Sequence, residues 1–167
     1  MKVLPGLDID VIACGPTGIW LLESKYYAGL VRYRDGKWQH IRDDEEGRPE
    51  GVSLDLADQW ERERDAALKI LKEAGLLREH PWLKVAVQGG VAFTHPKVET
   101  DIDESCPIAW NTPWGWVEVI TTAKAWPKLS LEMRLKVIDA FLERHHALQG
   151  TIGKSAIEEA ESICKRY

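Results

Sequence analysis

The chain has 167 residues, 44% of them apolar and 29% charged, the make-up of a soluble globular domain with one proper core rather than of a disordered or membrane protein. Its formal charge of -5 argues against a protein that coats nucleic acid through surplus Lys and Arg, but leaves room for an enzyme that meets phosphates through a bound cation. No apolar run approaches the roughly 18 residues that span a bilayer, the N-terminus meets charge too soon for a signal peptide, and Cys14, Cys106 and Cys164 form neither a disulfide framework nor a zinc site, so a reducing, cytoplasmic setting is expected.

Residues 7–13 mix acids with Ile9, Val11 and Ile12 and read as a strand, stopped by the turn Gly15-Pro16-Thr17-Gly18. A second strand is predicted over residues 19–25 and a third over 30–34. The turn Asp35-Gly36 follows, with a fourth strand over 37–41. Residues 42–51 are charged and carry glycine and proline, which predicts a solvated loop. Leu56, Trp60, Ala67, Leu68 and Leu71 give a partial helical stripe over residues 55–74, with Asp55 as N-cap and Gly75 as the stop. Residues 84–94 read as a buried strand interrupted by Gly89-Gly90, and 116–122 as another short strand. Ser130 caps an amphipathic helix over 130–145, with Leu131, Leu135, Ile138 and Leu142 on one stripe, and a last helix is expected over 154–165.

The informative stretch is Asp8-Ile9-Asp10 followed, across a tight turn, by Glu23-Ser24-Lys25. If the two strands pair about a two- or four-residue loop at Pro16-Thr17, facing positions have a constant sum. Asp10 then faces Glu23 and Asp8 faces Lys25, on the side that Ile12, Leu21, Cys14 and Ile19 continue toward the turn. The other side carries Leu7, Ile9, Val11, Ala13, Trp20 and Leu22 as a core face. A three-residue loop with a bulge at Gly18 would shift the register by one and separate Asp10 from Glu23, and the turn sequence permits both. Directly opposed carboxylates destabilise a sheet pair, a cost that a folded protein tolerates when a cation sits between them. Hard divalent cations such as Mg²⁺ bind through one or two carboxylates plus substrate phosphate. Lys25, two residues beyond Glu23, projects on the same side. The alternative is a surface salt-bridge cluster at a strand edge, because Glu-x-Lys is common in strands.

Residues 8–25 resemble the signature of the nuclease-related domain of the PD-(D/E)xK nuclease superfamily: an acidic-apolar-Asp start, an apolar strand, a Gly-Pro-x-Gly turn, then an apolar strand ending in Glu-x-Lys. Gly29, the turn Asp35-Gly36-Lys37-Trp38, Gln59 and the segment Val91-Ala92-Phe93-Thr94 are similar too, and the resemblance runs from about Leu4 to Phe141. It implies Asp10 and Glu23 as metal ligands, with the Ser24 carbonyl a third, and Mg²⁺ or Mn²⁺ as the ion. Lys25 would orient or activate the attacking water, Gln59 would support the site, and Asp8 would be an outer acid or a partner for Lys25. The implied reaction is phosphodiester hydrolysis in nucleic acid, DNA or RNA. Members of the family carry a helix with an acidic residue before this hairpin. Only nine residues precede Asp10, so that helix is expected to be absent unless a second copy or a partner chain supplies it.

The expected fold is therefore one restriction-endonuclease-like α/β (α+β) domain, with a core over residues 4–143 and a mixed sheet that opens with an antiparallel hairpin and is flanked by helices. The rival reading is an inactive module on the same fold that binds nucleic acid or a protein. Arg32, Arg34, Lys37, Arg42 and Arg48 are read as a solvated face balanced by neighbouring acids rather than a phosphate-contacting rim. Trp110, Trp114 and Trp116 are read as loop packing rather than base stacking. Gly153-Lys154-Ser155 lacks the earlier glycine of a phosphate-binding loop.

Overall fold

The computed structural model describes residues 2–4, 7–43, 49–122 and 128–149. The expected C-terminal helix over 154–165, with Cys164 and the Gly153-Lys154-Ser155 segment, lies outside them, as does Arg48. The hairpin forms with the shortest loop. Strands β3 (Val11–Gly15) and β4 (Gly18–Lys25) pair antiparallel from Gly15↔Gly18 to Val11↔Leu22, leaving Pro16 and Thr17 as the turn. This is the even register, so Asp10, one residue before β3, comes level with Glu23.

Strand β4 then pairs in parallel with β8 (Val87–Phe93), and β8 with β10 (Ala109–Asn111), giving the order β10-β8-β4-β3. Helices α1 (Leu56–Glu73) and α5 (Leu131–Gln149) cover one face of this sheet, where Ile19 and Leu21 pack with Ala67, Ile70, Leu71, Val137 and Phe141. Helix α4 (Pro113–Thr122) covers the other face, bringing Trp116 against Trp20, Leu22 and Ala92. A second mixed sheet runs in the order β7 (Pro49–Leu54), β6 (Lys37–Asp43), β5 (Gly29–Arg34), β9 (Val98–Ile102). Its Val31, Tyr33 and Trp38 pack on Val91 and Phe93 of β8. A short antiparallel pair, β1 (Lys2–Leu4) and β2 (Leu7–Asp8), precedes the hairpin. Helices α2 (Leu76–Glu79) and α3 (Leu83–Ala86) link α1 to β8.

The mixed sheets flanked by helices match the expected fold class, and Ser130 caps α5 through a bond from the Met133 N–H to its hydroxyl, 3.2 Å. Gly75 stops α1 with a left-handed φ of 79°. Several expectations are corrected. Residues 116–122 are helical, not a strand: Pro113 suits the first turn of a helix, and Trp116, Val119 and Ile120, spaced at i, i+3 and i+4, meet one sheet face together. Residues 84–86 finish α3 before β8 begins, and 49–51 belong to β7 rather than a loop. Strand β9 was not anticipated, although Val98, Thr100 and Ile102 alternate with polar neighbours. Ile9 does not share a face with Val11 and Leu22; it is fully buried with Ile19 and Leu21, because the chain leaves extended pairing at Ile9-Asp10 and the alternation does not carry across the break. Asp8 pairs with Lys2 in β2 and so stands outside the hairpin ladder that would have set it against Lys25. The buried stripe of α5 is Met133, Val137, Ala140 and Phe141, whereas Leu131 is 42% exposed.

The Gly89-Gly90 interruption has a packing cause. Successive residues of a strand face opposite sides. A Cβ at Gly89 would fall inside the Trp60 ring from α1, and one at Gly90 inside the Trp116 ring from α4. The indole N–H of Trp116 donates to the Val91 carbonyl at 3.0 Å, so that ring cannot retreat without losing a buried bond. Gly90→Ala is expected to destabilise the fold by about 1–3 kcal/mol, the usual cost of overpacking. A lower urea midpoint at unchanged slope would report this, and an unchanged midpoint would contradict it.

Candidate active site

The side chains of Glu23 and Lys25 leave β4 on the α1 side. They are half-sheltered, with 15% and 18% exposure, and the Lys25 Nζ lies 2.7 Å from Glu23 Oε1. Asp10 meets the same strand at its edge, where the Ser24 backbone N–H donates to Asp10 Oδ2 at 2.9 Å. In an extended strand the N–H and C=O of one residue point to the same edge. The Ser24 carbonyl is thus turned toward Asp10, while the next carbonyl, Lys25, turns the other way and accepts from the Thr94 N–H of the β8 end at 3.0 Å. The Asp10 carboxylate and the Ser24 carbonyl therefore share one edge of β4, next to Glu23 in the chain. An all-oxygen set of this kind suits a hard divalent cation whose remaining positions go to water and phosphate. Among the described residues, no group of three or more His, Cys, Asp or Glu is gathered as a metal cage.

Gln59 projects from the first turns of α1 and joins this group. Its side-chain carbonyl accepts from Lys25 Nζ at 3.2 Å, and its NH₂ donates to Glu63 Oε1 at 2.9 Å. The two partners fix the amide in one orientation, since only its oxygen can face the ammonium. Glu63 is the residue that sequence reasoning missed. It is 1% exposed and, with Glu23, Leu56, Gln59, Trp60 and Val91, lines a cavity of about 10 Å³, about the least that holds one water molecule. Two signals could have found it. Glu63 lies four residues after Gln59, on the same helix face, and it interrupts the buried stripe of Leu56, Trp60, Ala67 and Ile70, where a carboxylate is out of place.

Burial pushes the Glu63 carboxyl up to about 7, helped by the negative charge of Glu23 and opposed by the bond from Gln59. A carboxyl whose native pKa lies above its ordinary value of 4.5 binds its proton more tightly folded than unfolded. Its contribution to stability is full below about pH 4.5 and is lost as pH rises through about 7. The total is on the order of 3 kcal/mol. Glu63→Gln keeps an acceptor for Gln59 but cannot ionise. Relative to this variant, wild type is expected to lose stability between pH 5 and pH 8 in urea unfolding; parallel profiles would show that Glu63 is not charged at a cost.

The arginines past the hairpin are largely neutralised. Arg32 pairs with Asp101 at 3.0 Å, Arg34 with Asp101 and Asp103, and Arg42 lies 4.0 Å from Glu50. Asp101 and Asp103 are held below the usual carboxylate range, Asp101 chiefly by its bond from Arg34 and Asp103 chiefly by the Ser105 backbone N–H. Trp116 is buried packing, but from helix α4 rather than from a loop, and Trp110 sits near Phe93 with 6.5 Å between ring centroids; Trp114, also expected to pack, is 84% exposed. The Cys14 thiol donates to the Arg134 carbonyl at 3.8 Å and the Cys106 thiol to the Ile108 carbonyl at 3.3 Å. No helix among the described residues is long and apolar enough to cross a membrane.

Compared with known proteins, residues 3–94 match the model of the nuclease-related domain. The match runs from within β1 to just past the end of β8, and takes in Asp10, Glu23, Ser24, Lys25 and Gln59. No curated protein and no solved structure matches the chain. The family match spans more than half of the sequence and includes the hairpin, its Glu-x-Lys end and the helix that carries Gln59: the chain belongs to the nuclease-related domain family.

Proposed function

We propose that the protein is a metal-dependent nuclease that hydrolyses phosphodiester bonds in DNA or RNA. One observation supports this reading: the Asp10 carboxylate accepts the Ser24 N–H next to Glu23, and Gln59 bonds the lysine two residues further on. Asp10, Glu23 and the Ser24 carbonyl would hold Mg²⁺ or Mn²⁺. When bound, such an ion neutralises phosphate charge and acidifies the attacking water.

The remaining work belongs to the side chains. Glu23 and Gln59 hold the Lys25 ammonium from two directions, so the lysine enters the reaction already oriented rather than sampling its rotamers. From there it donates to a non-bridging phosphate oxygen, where negative charge grows as the pentacovalent state forms, and orders the water that attacks. Gln59 positions Lys25, and Glu63 in turn positions Gln59. With its carboxyl pushed up to about 7, Glu63 is only partly ionised at neutral pH and adds less than a full negative charge beside the acids of the site.

A second reading has one observation in its favour. The 2.7 Å contact between Lys25 and Glu23 would also serve a purely structural ion pair in an inactive module that binds nucleic acid or a protein. Metal binding and cutting separate the two. With labelled single- and double-stranded DNA and RNA in Mg²⁺ or Mn²⁺, wild type is expected to cut, and Lys25→Ala to lose about 10²- to 10³-fold in turnover. Asp10→Ala and Glu23→Ala should in addition lose the heat of Mn²⁺ binding in calorimetry. Cutting that survives Lys25→Ala would overturn the assignment of the site, and a wild type that neither cuts nor binds either ion would overturn the nuclease reading in favour of the inactive module.

A further inference from the structure

Strands β4 and β8 end side by side at Lys25 and Phe93, and Tyr26 and His95 stand just past those ends. In a sheet of parallel strands, the space beyond the carboxyl ends is where ligands are received. The junction is firmly built. Both the N–H and the hydroxyl of Thr94 donate to the Lys25 carbonyl, at 3.0 and 3.3 Å. The Gly29 N–H donates to the Lys97 carbonyl at 3.1 Å. The His95 ring accepts the Lys97 backbone N–H at Nδ1, 3.0 Å, which sets its orientation. Tyr26 meets that ring edge to face, with centroids 4.5 Å apart and planes at 67°.

In spite of this support the Tyr26 side chain remains 71% exposed. An edge contact covers at most one face of a ring, so a flat aromatic surface is held open to solvent. It follows Lys25 directly in the chain, with Cα atoms about 3.8 Å apart. The chain's formal charge of -5 gives little general attraction for a polyanion, so a strand needs a hold that does not depend on surplus cations.

Resting on the nuclease reading of Asp10, Glu23 and Lys25, we propose that Tyr26, braced by His95, is a stacking platform for an unpaired nucleobase beside the phosphate that Lys25 contacts. The substrate is then single-stranded, or unpaired at the point of cutting. A base inside a duplex has both faces covered by its neighbours, and only an unpaired or frayed base can lay a face on the phenol ring. Stacking of this kind tolerates any base, since each has a π-face. It therefore selects for strand state rather than sequence.

The test uses the full chain carrying Lys25→Ala, which keeps bound strands uncut, and a labelled oligothymidylate in Mg²⁺. Adding Tyr26→Ala is expected to weaken binding about 5- to 100-fold, while Tyr26→Phe, which keeps the ring, stays within about twofold. Abasic residues placed one at a time along the oligonucleotide should locate one position whose loss costs the Tyr26 protein the same factor and costs the Tyr26→Ala protein nothing. Losses that simply multiply, or Tyr26→Ala binding as tightly as Tyr26, would overturn the platform. Cutting is read separately with Lys25 intact. Tyr26→Ala should raise KM for single strands far more than it lowers kcat. If it instead cuts single strands and duplex alike at wild-type KM, the platform falls and the nuclease stands. If the abasic cycle holds and nothing is cut, the platform stands and the nuclease falls.

Discussion

Because Pro16 and Thr17 alone separate Gly15 from Gly18 in the pairing of β3 with β4, the faces that β3 and β4 present are fixed relative to each other, Glu23 and Lys25 among them. Side chains alternate along a strand, so a slip of one residue would turn Ile12 and Cys14 from the α1 and α5 core to the α4 side and send Val11 and Ala13 the other way. Thr17 secures the turn from two directions. Its hydroxyl donates to the Ile120 carbonyl at 2.7 Å and accepts the Trp20 indole N–H at 3.0 Å. It is buried, so breaking either bond would leave a polar group without water. The register of the hairpin and the seating of α4 are thereby one constraint.

The second dependence runs through α1. Gln59 and Glu63 lie one helical turn apart, facing the sheet, and with Lys25 and Glu23 they form a continuous chain of hydrogen bonds from the exposed strand edge into the core. Buried polar networks are costly when partly satisfied and specific when complete. Glu63 illustrates the compromise. A leucine in its place would suit the surrounding Trp60, Ala66 and Ala67 better, but it would leave the Gln59 amide without an acceptor and free to turn away from Lys25. A group that folding would prefer to remove is explained by the side chain it positions.

Position within the sheet adds the third element. Tight packing of Trp60 and Trp116 on the two faces of Gly89-Gly90 draws α1 and α4 close to β8, and the bonds from Thr94 to the Lys25 carbonyl keep β4 and β8 together to their last residues. Rigid strands thus deliver Glu23 and Lys25 to a sheet end where the connections are short and the side chains beyond them, Tyr26 and His95, reach solvent. The neutralised pairs of Arg32 and Arg34 with Asp101 and Asp103 lie on the second sheet, where they stabilise its face without creating a cationic track.

Much of this was legible in the linear order of residues because it depends on local rules. The turn residues, the alternation along residues 11–25, the Glu-x-Lys spacing and the signature Gly-Pro-x-Gly carry the hairpin and the family. Asp10, Glu23 and Lys25 could be named as candidates from them, and Gln59 from the family resemblance. The choice between an even and an odd register could not, since Gly18 permits either; it is made by Thr17 reaching α4 and Trp20. Nor could the helical state of residues 113–122, whose run of Trp, Val, Ile and Thr suits a strand until a sheet face with a glycine gap receives Trp116. Glu63 was hidden for the same reason: a glutamate in a charged helix reads as solvated, and only the packing of α1 against β4 and β8 buries it. By itself the sequence determined which residues are candidates for the proposed chemistry, because spacing along strands and helices is a local property. Which of them meet, which are buried and which way the hairpin turns its acids were decided only by the tertiary structure, because desolvation and long-range hydrogen bonds exist only once the layers have closed.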